Sequence, residues 1–275
     1  MGDKLIFKSQ RVTTLLFTLL LSLVLAGCSS MGSQDSAPNV KLNLADIHNA
    51  VPKVLPRSKT GNPPSYTVFG KTYYVKKSAQ GFDERGIASW YGTKFHGRLT
   101  SSGTPYNMFA MTAAMRTLPL PTFVQVTNLN NDRKIIVEVN DRGPFKDNRI
   151  IDLSYAAAAK LGMLQKGTAL VDVRAINPLA WDKKQSMIKE PHLKQPGHPQ
   201  LYLQVAAFED KANAEQLLRR VHMAVIQPSR IDIGNDHGKE IYRVQIGPLA
   251  NVDISDLVVK RLKQAGFGVP MTIIT

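Results

Sequence analysis

One cysteine stands in this chain of 275 residues, at position 28. No internal disulfide can form, so the folded parts must be held by their own cores. Metal chemistry is equally poorly supplied. The six histidines are scattered, and neither H-x-x-x-H nor C-x-x-C occurs, so no metal centre and no cofactor is expected. A G-x-S-x-G elbow and a phosphate-binding glycine loop are both absent, which removes two large enzyme classes. Acid is scarce: 21 Asp and Glu stand against 35 Lys and Arg, for a formal charge of +14. The stretch RLTSSGTPYNMFAMTAAMR, residues 98–116, has no Asp, Glu, His or Lys between its terminal arginines. It reads as an ordered polar loop running into a small-residue segment, yet it supplies no acid.

Long hydrophobic runs are missing too. LLFTLLLSLVLAG, ending at Cys28, is too short for a comfortable membrane span. Preceded by Lys4, Lys8 and Arg11, it reads as a secretory signal covering residues 1–27. LAGC at 25–28 resembles the bacterial lipobox, which implies lipidation of Cys28 and a membrane anchor there. The competing reading is an anchor with an incidental cysteine. Ser29 follows Cys28 where Asp would stand for inner-membrane retention, which implies the outer membrane. A secreted chain meets little nucleic acid. Its positive charge is therefore set against lipid headgroups or wall carboxylates, or is simply a spread, solubilising charge.

Residues 28–65, rich in Ser, Pro, Asn and Lys without periodicity, read as a tether. The first compact domain is expected over 66–176. YTVFGKTYYV forms a hairpin through Gly70, and TFVQVTNLNNDRKIIVEVND forms another around its Asn/Asp turn. RIIDLSYAAAAKLGM holds a short helix capped by Ser154 and stopped at Gly162, and TALVDVRAI is a closing strand. Short strands with one small helix predict a compact β-barrel. Residues 177–199, with four prolines, read as a second linker. Over 200–275, LQVAAF and VQIGPL repeat each other, each followed by an amphipathic stretch and a further β-prone run. Strand–helix–strand twice over predicts a ferredoxin-like βαββαβ domain. The fold class is mainly β plus α+β.

The acids of the barrel are Asp132, Glu138, Asp141, Asp147, Asp152 and Asp172. Asp132 and Asp147 fall in loops, and Glu138 sits in an alternating strand. Asp141 ends a β run and opens DRGPF, so a Gly-Pro turn can aim its carboxylate into a groove. Arg142 would then meet an anionic substrate. The alternative is that Asp141 only stabilises its own turn or pairs with an arginine.

GIASWYG, FHGRLT, TLPLP, VTNL, VNDRGPF and RIIDLS, in this order, resemble the rare lipoprotein A family over roughly residues 62–176. LYLQVAAF and YRVQIGPL resemble a SPOR domain. The resemblance implies a double-psi β-barrel with lytic transglycosylase activity. It also implies a C-terminal module that binds peptidoglycan glycan strands lacking stem peptides at the division septum. Such enzymes cleave the β-1,4 bond between N-acetylmuramic acid and N-acetylglucosamine without water, leaving a 1,6-anhydro end. One acid/base group can serve both steps.

The family pattern runs T-A-x-G-E-x-Y-D-M and then L-T-A-A-H. Here Thr104 replaces its Glu, Asn107 its Asp and Met115 its His, at unbroken spacing. Asp141 remains as the catalytic candidate, with Tyr91, His96, Arg98 and Arg142 as substrate-binding candidates. In the second domain Tyr202, Gln204, Tyr242 and Gln245 suit sugar rings and N-acetyl groups. Two functions stay open. One is an outer-membrane septal transglycosylase. The other is a catalytically impaired relative that binds denuded glycan and links the septal wall to the outer membrane, with division-site proteins as further partners.

Overall fold

The computed structural model describes residues 35–39, 42–181 and 199–275. The expected signal, Cys28 and most of the second linker lie outside them. Among the described residues no helix is long and apolar enough to cross a membrane.

The YTVFGKTYYV hairpin is present as β1 (Ser65–Val68) and β2 (Lys71–Tyr74), a two-stranded sheet of its own. Phe69 and Gly70 turn it with φ of 49° and 75°, the left-handed pair a tight hairpin demands. Six further strands close into a barrel: β3 (Asp83–Tyr91), β4 (Thr112–Met115), β5 (Thr122–Asn128), β6 (Lys134–Asp141), β7 (Ile151–Ser154) and β8 (Ala169–Ala175). The order around the barrel is β3-β7-β4-β6-β5-β8. The β3–β7 and β4–β6 pairs are parallel and the others antiparallel. Closure leaves no exposed sheet edge. Alternate residues fill the interior, among them Ala88, Ala113, Val137, Val139, Ile151, Leu153, Val171 and Val173. Helix α1 (Tyr155–Leu161) packs on this core through its alanines. The Ser154 hydroxyl accepts from the Ala157 amide at its start, and Gly162 ends it at φ 76°.

Residues 42–64 differ from the expected tether. Ile47 is buried in the barrel's core cluster. The Ala50 amide donates to the Ile136 carbonyl at 3.0 Å, and that of Ser58 to the Leu120 carbonyl at 2.9 Å. The Asn62 side chain bonds both the amide and the carbonyl of Leu120, each at 2.8 Å. The segment is a belt tied to the barrel at β6 and at the β4–β5 connection. It shows no periodicity because each bond is made singly to a distant partner.

The C-terminal part runs β9 (Leu201–Phe208), α2 (Lys211–Ala224), β10 (Ser229–Asp236), β11 (Lys239–Leu249), α3 (Val252–Gln264) and β12 (Met271–Ile274). Its antiparallel sheet has the order β10-β11-β9-β12, the ferredoxin-like arrangement. The repeat in the sequence is thus two strand–helix–strand units. Asp210 and Asn251 cap the two helices, which bury Ala214, Val221, Val258, Val259 and Leu262 against Leu201, Leu203, Val244 and Ile246.

Candidate active site

Two carboxylates meet on the outer wall of the barrel because of strand register. Ser89 on β3 pairs with Asp152 on β7, Asp152 pairs with Ala114 on β4, and Ala114 pairs with Asp141 on β6. Residues directly paired across strands share a face, so these four side chains form one row. Their neighbours Ala88, Ala113, Ile151 and Leu153 point into the core, which puts the row outside. Asp141 joins it through an irregularity. Thr112 and Ala113 pair with Glu138 and Val139, but Ala114 pairs with Asp141, so Asn140 is skipped. Without that extra residue, Asp141 would follow Val137 and Val139 inward. Ala114, between the acids, is 4% exposed and packs with Tyr91, Tyr106, Met108 and Tyr155. The Cα atoms of the two acids, two strands apart, are separated by roughly 10 Å.

Asp141 is held firmly. Its Oδ1 accepts from the Ser101 amide at 2.8 Å, the Ser101 hydroxyl at 2.7 Å and the Arg142 amide at 2.7 Å. Ser101 belongs to the polar loop of residues 97–106, which folds as a small hairpin lobe. The Gly97 amide donates to the Tyr106 carbonyl, the Tyr106 amide to the Arg98 carbonyl and the Thr100 amide to the Thr104 carbonyl. Tyr106 anchors the lobe: its hydroxyl donates to the Tyr91 carbonyl at 2.6 Å, and the two rings stack at 4.1 Å.

Asp152 has the opposite environment. The Ser89 hydroxyl donates to its Oδ1. Burial pushes the Asp152 carboxyl above the ordinary aspartate value; the Ser89 bond and the cations of Arg149 and Arg116 pull against that, and the Asp35 charge pushes with it. Asp35 comes from the segment preceding the belt. Its carboxylate accepts from the Gly92 amide at 2.8 Å and the Lys94 amide at 3.1 Å, while the Ser36 carbonyl accepts from Thr93 at 3.1 Å. Gly92 permits this approach, since a Cβ there would stand 2.3 Å from the Ser36 oxygen.

Sequence reasoning picked Asp141 and passed over Asp152 and Asp35. Asp152 had one legible signal, a lone acid between core-facing Ile151 and Leu153. Its partner Ser89 lies 63 residues away and gives no local cue. Asp35 sits in the stretch read as tether.

The other expected residues are spread. Thr104 is exposed on the lobe, its hydroxyl 3.1 Å from those of Thr100 and Ser102. Asn107 is also exposed, and its side chain caps a turn by accepting from the Phe109 amide at 3.0 Å. Met115 faces the other way, 2% exposed within the barrel core. His96 Nδ1 accepts from the Met108 amide at 3.2 Å, so its Nε2 is the nitrogen left for a ligand. Arg98 is exposed on the lobe. Tyr91 is buried, and burial drives its hydroxyl well above the usual tyrosine range. Arg142 is turned inward as a clip: Nε donates to the Gly61 carbonyl at 2.8 Å, Nη1 to Met115 and Leu118 carbonyls, and Nη2 to Asn62 Oδ1 at 3.2 Å. Those bonds tie the belt to the β4–β5 connection and leave little of the guanidinium for substrate.

In the C-terminal domain Gln204 and Gln245 stand opposite each other on the helix-free face, with Gln245 5% exposed. Tyr202 lies on the same face but is 3% exposed, with the Arg230 guanidinium 4.7 Å over its ring and its hydroxyl bonded to Gln200. Tyr242 packs toward the helix-side core and bonds Glu240. Among the described residues no cluster of three or more His, Cys, Asp or Glu is placed to hold a metal ion.

Family comparison agrees with this two-part architecture. The lytic transglycolase family model, a double-psi β-barrel, matches residues 83–173, and the SPOR-domain model matches residues 198–271. The endolytic peptidoglycan transglycosylase RlpA of Vibrio cholerae is 41% identical over 254 residues, covering 90% of this chain and 92% of that protein. The protein of the same name from Pseudomonas aeruginosa strain PAO1 is 39% identical over 253 residues, covering 86% and 73%. The crystal structure of the P. aeruginosa RlpA SPOR domain matches with 27% identity and a TM-score of 0.26, over 26% of this chain and 96% of that one. The chain belongs to the RlpA family of endolytic peptidoglycan transglycosylases.

Proposed function

We propose that this chain cleaves peptidoglycan glycan strands that lack stem peptides, with Asp152 as the acid/base and Asp141 as its anionic partner. The observation that carries the reading is the row Ser89–Asp152–Ala114–Asp141, which sets a carboxyl raised by burial beside one fixed by three donors. Asp152 acts from its protonated form, the form that burial favours, and gives its proton to the glycosidic oxygen as the C1–O bond breaks. Positive charge develops at C1 and the ring oxygen, facing Asp141. The ionised Asp152 then takes the proton of the C6 hydroxyl while that oxygen bonds C1. A 1,6-anhydro ring results and no water is consumed. The paired-carboxylate geometry of ordinary glycosidases is not required.

Lipidation at Cys28 would hold the enzyme on the periplasmic side of the outer membrane, and the SPOR module would bring it to denuded glycan at the septum. A second reading has support of its own. The lobe carries no carboxylate or histidine at Thr104 or Asn107, and Met115 lies inside the core. On that reading the chain binds glycan without cutting it.

The test is a digest of purified glycan strands, with and without stem peptides, by the soluble form starting after Cys28. Products are scored by mass for 1,6-anhydro ends. The enzyme reading expects them from peptide-free strands. Anhydro ends from a Thr104→Glu, Asn107→Asp, Met115→His triple variant alone would favour the binding reading.

A further inference from the structure

The connection between the two acids is gripped by the other domain. Residues 142–150 join the strand ending at Asp141 to the strand carrying Asp152, and four consecutive residues within them reach the C-terminal domain. Lys146 Nζ donates to Asp256 Oδ2 at 2.9 Å. Asp147 accepts from Lys263 at 2.7 Å. The Asn148 amide donates to Ser255 Oγ at 2.7 Å and accepts from the Thr272 hydroxyl. Arg149 makes a two-pronged pair with Asp256, at 2.9 and 2.7 Å. Arg149 is 2% exposed, and Ser255 is fully buried. Ile87 and Leu170, on the outer wall of the barrel, join the apolar cluster of the C-terminal domain.

We infer that Asp256 is a positioning residue for the barrel site: by holding Arg149 and Lys146 it fixes the connection that sets Asp141 against Asp152. The inference rests on the catalytic reading above. Arg149 stands three residues before Asp152 and, buried, cannot be left without its anion. A planar guanidinium held at both prongs fixes orientation as well as distance. Asn148 sits at φ 64°, a conformation asparagine tolerates, with its amide bridging α3 and β12. The connection therefore has little freedom while the domains are docked. The sugar-binding module is then part of the catalytic scaffold as well as a tether to glycan.

A second consequence is electrostatic. The groups facing Asp152 are Ser89 from β3, Arg116 after β4, Arg149 from its own connection and Asp35 from the N-terminal segment. Asp141, Tyr91 and Tyr106 are also nearby. Asp256 offsets the Arg149 charge. Without it Arg149 favours ionised Asp152 more strongly, and the upper pH limit of cleavage moves down.

The experiment uses the full two-domain protein with Asp256→Asn, Asp256→Glu and Asn148→Ala. Cleavage of peptide-free glycan strands gives kcat and KM across pH, and hydrogen exchange reports on residues 141–154. Expected for Asp256→Asn is a kcat loss of about tenfold with KM little changed. Faster exchange over 142–151 and a lower upper pH limit accompany it, and Asp256→Glu recovers part of each. Should Asp256→Asn fail to fold, Asn148→Ala is expected to show the same exchange increase with a smaller kcat loss. Unchanged exchange over 142–151 overturns the inference, as does an unchanged kcat in a folded, active variant. If the natural protein does not cleave at all, the catalytic reading fails, and the exchange data still decide whether Asp256 holds the connection.

Discussion

Replacing Arg142 separates two roles that a sequence leaves confounded. As a substrate contact, Arg142 would matter for KM and hardly at all for stability. As an internal clip, it would matter for stability first. Its guanidinium donates to the Gly61, Met115, Arg116 and Leu118 carbonyls and to Asn62 Oδ1. Desolvation lowers its pKa, and the Tyr66 and Asp141 charges act to raise it while Arg57 lowers it further. A charged hydrogen bond contributes about 1.5–3 kcal/mol, but five bonds from one group are not additive. Arg142→Met strips them together and leaves four carbonyls to find other partners at a half-buried site. A loss of about 3–4 kcal/mol follows. For a folded part of this size that is a fall in Tm of about 10 °C. Arg142→Lys keeps the charge but reaches fewer acceptors, and about half that loss is expected. Thermal unfolding, followed by circular dichroism, reads both. A Tm within about 2 °C of the parent, together with a raised KM for glycan, would refute the clip and restore the substrate contact.

Other expectations follow from the same contacts. Asp152→Asn lowers cleavage by about 10²–10⁴-fold. Because the folded pKa of Asp152 is raised, charging it costs stability above the ordinary aspartate value, so the variant's Tm at pH 7 equals or exceeds the parent's, and the difference closes below about pH 4. Ser89→Ala removes a bond that favours ionised Asp152, so the upper pH limit of cleavage moves up in a pH–rate profile. Gly92→Ala sets a methyl 2.3 Å from the Ser36 oxygen, so limited proteolysis within residues 35–39 speeds up while the barrel's Tm holds.

The local elements were legible because their causes are local. The Phe69–Gly70 turn, the Ser154 cap and the Gly162 stop are each written within a few residues. The repeat of LQVAAF and VQIGPL gave the C-terminal topology of two strand–helix–strand units. What escaped depends on partners far along the chain. The belt at 42–64 reads as linker because its bonds to Ile136 and Leu120 are single and distant. Asp141 is singled out in the sequence by its turn, yet its outward aim depends on the skipped Asn140. Asp152 finds its hydroxyl partner in Ser89, 63 residues earlier, and Arg149 before it finds its anion in Asp256 of the C-terminal domain. Arg142 was expected to face substrate because a guanidinium beside a site invites that reading. The carbonyls that claim it come from the belt and the β4–β5 connection.

The most direct measurement is single-turnover cleavage of peptide-free glycan strands by the natural protein and by Asp152→Asn, at matched folded concentration, with 1,6-anhydro ends counted by mass spectrometry. The account predicts anhydro ends from the natural protein and a loss of at least about a hundredfold in the variant. Equal rates from the two proteins, or no anhydro ends from the natural one, would contradict it.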